Sequence, residues 1–144
     1  MTSNAERAAI LIQSIRASIE RDSGVVKDLY TDDVSGWTPL FGISSVAELA
    51  VEYEDRGQAF SNTQIAVEPL DAAGDRVCVE WSATLTHSGR LVICTDDPMI
   101  EPTGAQLTLH GVTIAEFDGA RISMFRQYYD ERELLNQLEL FSVD

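Results

Sequence analysis

Basic residues are scarce. Ten lysines and arginines stand against 24 aspartates and glutamates, a formal charge of −14, and Lys27 is the only lysine. A field of that sign repels phosphate backbones and anionic lipid, so it argues against nucleic acid or a membrane surface as partner. The acidity itself reads as solubility. Cysteine is nearly absent: Cys78 and Cys94 lack a C-x-x-C spacing, and only His87 and His110 could join them around a metal. No structural zinc is expected, and both thiols are read as free. There is no apolar run of some 18 residues, and no charged-then-apolar N-terminus resembling a signal peptide. A cytoplasmic protein is the resulting expectation. Asp96-Asp97-Pro98 reads as a solvated turn, and no metal is predicted.

At 144 residues the chain is read as one domain, residues 1–144, with one core that buries about two thirds of the unfolded surface. Ser3-Asn-Ala-Glu6 is a capping box, and Ala8, Ile12, Ile15 and Ile19 follow at 4-3-4 spacing, so a helix is predicted to stop near Gly24. A short helix around Val25 to Tyr30 continues it, followed by a turn at Asp32-Asp33. Ser45-Val-Ala-Glu48 opens a third helix carrying Val46, Leu49, Ala50 and Tyr53. From Asn62 the period changes to alternation: Thr63, Ile65 and Val67 share one side of an extended chain. After a turn at Asp71 to Asp75, Val77, Val79, Trp81, Ala83 and Leu85 share one strand face while Cys78, Glu80, Ser82, Thr84 and Thr86 share the other. A further strand is expected at 105–117, a hairpin turn at Asp118-Gly119, a returning strand at Arg121 to Tyr129 and a tail helix at Glu131 to Leu140. Helices followed by long antiparallel strands make an α+β domain, with the helices on one face of the sheet.

Several short motifs add to this. Thr86-His87-Ser-Gly89, Pro102-Thr103-Gly104, Gly111, Phe117-Asp118-Gly119, Ile122, Asp130 and Leu134-Leu135-Asn-Gln137-Leu138 together resemble the C-terminal half of the SnoaL-like polyketide cyclases. These belong to the nuclear transport factor 2-like superfamily. Leu29-Tyr30-Thr-Asp32-Asp33-Val34, and Gly42 before the third helix, resemble its helical half. The resemblance implies a cone-shaped, curved, mostly antiparallel sheet covered by three N-terminal helices, with a ligand pocket inside and commonly a homodimer. It implies an apolar small molecule as partner and chemistry without a cofactor, by a cyclase, isomerase, lyase or hydrolase. Fold alone does not choose among these.

Residue by residue, the family's motifs transfer incompletely. The cyclases' acid/base aspartate aligns with Gln127, which can orient a carbonyl but has no proton to titrate. FRQYYD, residues 125–130, resembles the end of the corresponding strand in the limonene-epoxide hydrolases, whose terminal aspartate matches Asp130. Their arginine and second acid would fall on the strand that carries Glu80, Ser82 and Thr84 instead. The ketosteroid isomerase positions hold Ser14, Thr38 and His110, so the base is missing. The catalytic candidates are therefore His110, able to donate to a carbonyl or act as a base, and Asp130, a carboxylate at a strand end. Gln127, Tyr129, Trp37, Ser14 and Thr38 are the candidate ligand-binding residues. Two bland readings stand beside these: Asp130 as N-cap of the tail helix, and His110 bonded to backbone or on the surface. The alternative function is a ligand-binding or dimerisation module without catalysis.

Overall fold

In a computed structural model the described residues are 2–20, 22–39, 41–56, 60–90 and 101–137. Cys94, Asp96 and Asp97 lie outside them. Helix α1, Asn4–Glu20, starts at the expected cap: the Glu6 amide donates to Ser3 Oγ at 3.1 Å. A 3-10 turn, Ser23–Val25, leads into α2, Val26–Leu29. Strand β1 then runs Tyr30–Trp37 and β2 covers Gly42–Ile43. Helix α3, Val46–Arg56, is capped by Ser45, whose hydroxyl accepts from the Glu48 amide at 3.2 Å. The strands β3 (Phe60–Ala73), β4 (Arg76–His87), β5 (Gln106–Asp118) and β6 (Arg121–Tyr129) follow, and α4, Glu131–Gln137, ends the described chain.

One curved, open six-stranded sheet has the order β2-β1-β6-β5-β4-β3. The β3–β4 and β5–β6 hairpins turn at Gly74 and Gly119, with φ of 60° and 62°, angles glycine adopts without a Cβ penalty. Pro69 sits in β3, an edge strand, next to an irregularity in its pairing with β4, as a residue without an N–H must. Along β4 and β5 the alternation turns Val77, Val79, Trp81, Ala83 and Leu85, with Leu107, Leu109, Ala115 and Phe117, onto the buried concave face. Helices α1 and α3 cover that face, α1 against β3 and β4, α3 against β1.

Two expectations are corrected. Residues 31–37 form no turn after a helix: they are a strand, paired in parallel with β6 from the far end of the chain. Tyr30 and Val34 are buried while Asp32, Asp33 and Ser35 stay outside, so burial beside β6 outweighs the local turn preference of two adjacent acids. On α1 the buried stripe is Arg7, Leu11, Ser14 and Ile15, with Ser18 half-buried, one residue N-terminal of the apolar stripe read from the sequence. Three polar residues share that face for identifiable reasons. Arg7 donates from Nε to Gly119 O (3.1 Å) and from Nη1 to Gly74 O (3.3 Å) and Asp75 Oδ1 (2.9 Å). Ser14 and Ser18 border a cavity.

Candidate functional site

Between the concave face and the helices lies a cavity of about 150 Å³. Leu11 and Ile15 of α1, Leu49 of α3, and Leu85, Leu109 and Phe125 of the sheet give it apolar walls. Its polar groups come from four directions. Ser14 and Ser18 enter from α1, Glu52 and Tyr53 from α3, Tyr30 and Thr38 from either end of β1, and Thr113, Gln127 and Tyr129 from β5 and β6.

The two buried phenols meet. Tyr30 and Tyr53 hydroxyls are 3.0 Å apart, and the Tyr53 hydroxyl lies 3.3 Å from the Ser14 carbonyl, to which it can donate. Burial pushes the Tyr30 pKa up, against hydrogen bonds to Ser14 and Tyr53 that lower it. Burial also raises Tyr53 well above the ordinary phenol value, helped by the charge and hydrogen bond of Tyr30. Both therefore stay protonated near neutrality and act as donors. The serine hydroxyls direct their protons into their own helix, Ser14 to Leu11 O and Ser18 to Ile15 O, each at 2.7 Å. On the sheet, Trp81 Nε1–H donates to Thr113 Oγ1 at 3.0 Å, and Thr113 stands opposite Gln127 in the β5–β6 register. Thr38 Oγ1 accepts from the Phe41 amide at 3.2 Å, which holds the turn at the end of β1.

Of the residues singled out from the sequence, Ser14, Thr38, Gln127 and Tyr129 line this cavity. His110, Asp130 and Trp37 do not. Strand alternation that turns Leu109 and Gly111 inward turns His110 outward, where its side chain is 68% exposed and Nδ1 is 3.8 Å from Glu133 Oε1 on α4. Asp130 follows the last residue of β6 and caps α4, its Oδ1 accepting from the amides of Arg132 (2.9 Å) and Glu133 (3.3 Å). Trp37 is 47% exposed and packs its ring on Tyr128 at 5.4 Å. His110 and Asp130 border an outer depression with Glu68, Glu80 and Tyr128. The helix-cap and surface readings of these two residues describe their placement.

Tyr30, Tyr53, Glu52 and Thr113 were not singled out as site residues, although Tyr30 lies in the motif of the helical half and Tyr53 in the apolar stripe of α3. Leu49, Glu52 and Tyr53 fall at i, i+3 and i+4, one helix face, and that spacing was the available signal for Glu52. It is the one carboxylate among the described lining residues, and no cation lines the cavity among them. Among the described residues no three His, Cys, Asp or Glu side chains gather as a metal site, and no helix is long and apolar enough to cross a membrane. Cys78 is unpaired and half-buried, its pKa raised by burial, then by Asp71 and Glu80.

A family model described as SnoaL-like polyketide cyclase matches residues 12–138. No curated protein is significantly similar to the chain. Among solved structures, AclR from Streptomyces galilaeus superposes with a TM-score of 0.79 at 24% identity, over 99% of this chain and 86% of that one. A SnoaL-like protein from Jannaschia sp. CCS1 gives 0.80 at 13% identity, over 96% and 94%. An LEH-like epoxide hydrolase from M. tuberculosis gives 0.64 at 17% identity, over 94% and 91%. At such identities the likeness establishes the fold.

Proposed function

The chain belongs to the SnoaL-like polyketide cyclase family, and from that membership and the chamber we propose that it binds a small, neutral carbonyl compound inside the cone and enolises it without a cofactor. The observation that carries the reading is the pair of phenols, Tyr30 and Tyr53, held protonated near neutrality in a mostly apolar cavity. A carbonyl oxygen placed there accepts a phenolic hydrogen bond, which strengthens as negative charge develops on the oxygen. In this reading Glu52, in the same lining, takes the proton from the carbon next to the carbonyl. The C–H electron pair moves to the oxygen as the enolate, and return of the proton to another carbon, or attack on a second carbonyl, completes an isomerisation or a ring closure. Gln127 and Thr113 orient the far side of the ligand.

Size and charge narrow the ligand. A void near 150 Å³ accepts a benzene-sized molecule, whereas drug-sized ligands occupy roughly 300–1,000 Å³. With a carboxylate and no cation in the described lining, anionic ligands are disfavoured. Exchange of the methyl protons of acetophenone in heavy water, followed by NMR, tests the reading. Glu52→Gln should abolish exchange and keep binding, and Tyr30→Phe, which removes the phenol whose proton is not directed to the Ser14 carbonyl, should slow exchange roughly a hundredfold, the usual effect of losing one donor to a developing oxyanion. Acetophenone that binds and never exchanges would favour the second reading, a binding module without turnover, which the single carboxylate of the described lining already supports. A second copy of the chain, meeting the outer sheet face around Trp37 and Tyr128, completes the proposal.

A further inference from the structure

Two strand glycines lie beneath rings that wall the chamber. In the sheet register Gly111 stands opposite Trp81, and Gly36 opposite Phe125. A β-carbon on Gly111 would overlap the six-membered ring of Trp81, and one on Gly36 the ring of Phe125. Neither glycine has a positive φ, so no turn geometry calls for them. What they supply is room.

The consequence is largest at Trp81. With nothing projecting from position 111, the indole lies across β5 instead of standing away from the sheet. It reaches Thr113 Oγ1 on the same face of β5 and meets Tyr129 of β6 edge-on at 6.2 Å. Its neighbours along β4 on that face, Val79 and Ala83, are 0% and 2% exposed. A displaced indole finds no space along the strand, and the sheet backbone blocks it from below. The open side is the cavity.

We infer that Gly111 is a specificity-determining residue of the chamber: by letting the Trp81 indole lie flat it keeps the void open, and a side chain there lifts the ring into the volume the ligand needs. The inference rests on the reading that the chamber takes a ligand, and it adds that the ligand is flat, one ring wide, and faces the Trp81–Tyr129 wall. It predicts that acetylnaphthalene, with a second ring, binds the natural protein less well than acetophenone does.

Gly111→Ala is compared with the natural protein by calorimetric titration of acetophenone and by xenon uptake in xenon NMR, with thermal unfolding as a check on the fold. The variant should bind acetophenone about tenfold or more weakly and take up less xenon, and Trp81→Leu added to Gly111→Ala should restore both. A folded Gly111→Ala protein that takes up xenon as before overturns the inference, as does a double variant in which uptake does not return. Should Gly111→Ala fail to fold, the double variant decides alone, a folded, xenon-binding protein sustaining the inference and an unfolded or xenon-silent one overturning it. Xenon keeps the two failures apart. A natural protein that takes xenon and ignores acetophenone sinks the carbonyl reading, while the glycine is still judged by xenon.

Discussion

His87 is fully buried at the end of β4. Its Nδ1 accepts from the Thr103 amide at 3.2 Å, which leaves the proton of the neutral ring on Nε2. Burial lowers its pKa, partly opposed by the Gly89 backbone. The unfolded chain therefore binds a proton at about pH 6.5 that the folded chain still refuses. Stability from this residue is complete above that pH and is lost as pH falls from there toward the lowered folded value. Urea unfolding measured from about pH 8 down to pH 5 should show a steeper acid-side decline for the natural protein than for His87→Asn, which keeps an acceptor and loses the titration. The carboxylates contribute alike to both. Two cases at this scale show what a sequence hides. The stretch 125–130 named Asp130 by its wording, yet a carboxylate ahead of a helix start serves equally as a cap, and only the strand's phase decides. Glu52 gave the opposite problem: its spacing from Leu49 and Tyr53 marks the inner helix face, but an acid is ordinarily assigned to the wet side.

Among the elements, the ties between α1 and the two hairpin turns rest on Arg7. Its side chain, 10% exposed, bonds to both turns and lies 5.7 Å over the Phe117 ring. Asp75, by contrast, is 73% exposed, so the ion pair itself contributes little. Arg7→Met should lower unfolding stability by about 2 kcal/mol through the orphaned carbonyls, and Asp75→Asn by less than about 1 kcal/mol, as chemical denaturation will report. The helix was legible as an element because Ser3 and Glu6 mark its start. Its inner face was not, because Arg7, Ser14 and Ser18 are turned inward by the turns and the cavity, and apolar spacing is blind to both. Strands β4 to β6 were legible in position, and β4 also in its two faces, since its strict alternation leaves no other assignment. Strand β1 was not, for its partner is the last strand of the sheet and nothing near it in the chain reports the pairing.

For the molecule as a whole, the proposed pairing of two copies draws on the outer face. Trp37 and Tyr128, 47% and 44% exposed, stand there together, with Arg126 level with Trp37 in the β1–β6 register and His110, Glu68 and Glu80 bordering the depression that Tyr128 lines. Both charge signs on one patch suit a two-fold contact in which each copy offers the same surface. Light scattering should find a dimer, and Tyr128→Asp should shift it to monomer while acetophenone binding persists. A monomeric natural protein removes this pairing. The family could be read from scattered motifs because turns and strand ends constrain glycine, proline and aspartate tightly. The chamber's chemistry could not, since it depends on how far the sheet bends and which helix face meets it.

The parallel seam between β1 and β6, with Tyr30 beside Ile122 and Trp37 beside Arg126, also bears on how the protein is made. A ribosome adding about 5–20 residues per second delivers α1 to α3 and β1 well before β6. Until the final strand clears the exit tunnel, β1 has no partner on that side and Val34 has nowhere to hide. A nascent chain stalled before residue 122 lacks β6 and α4, and its β1 stands unpaired along the edge that the parallel seam later covers.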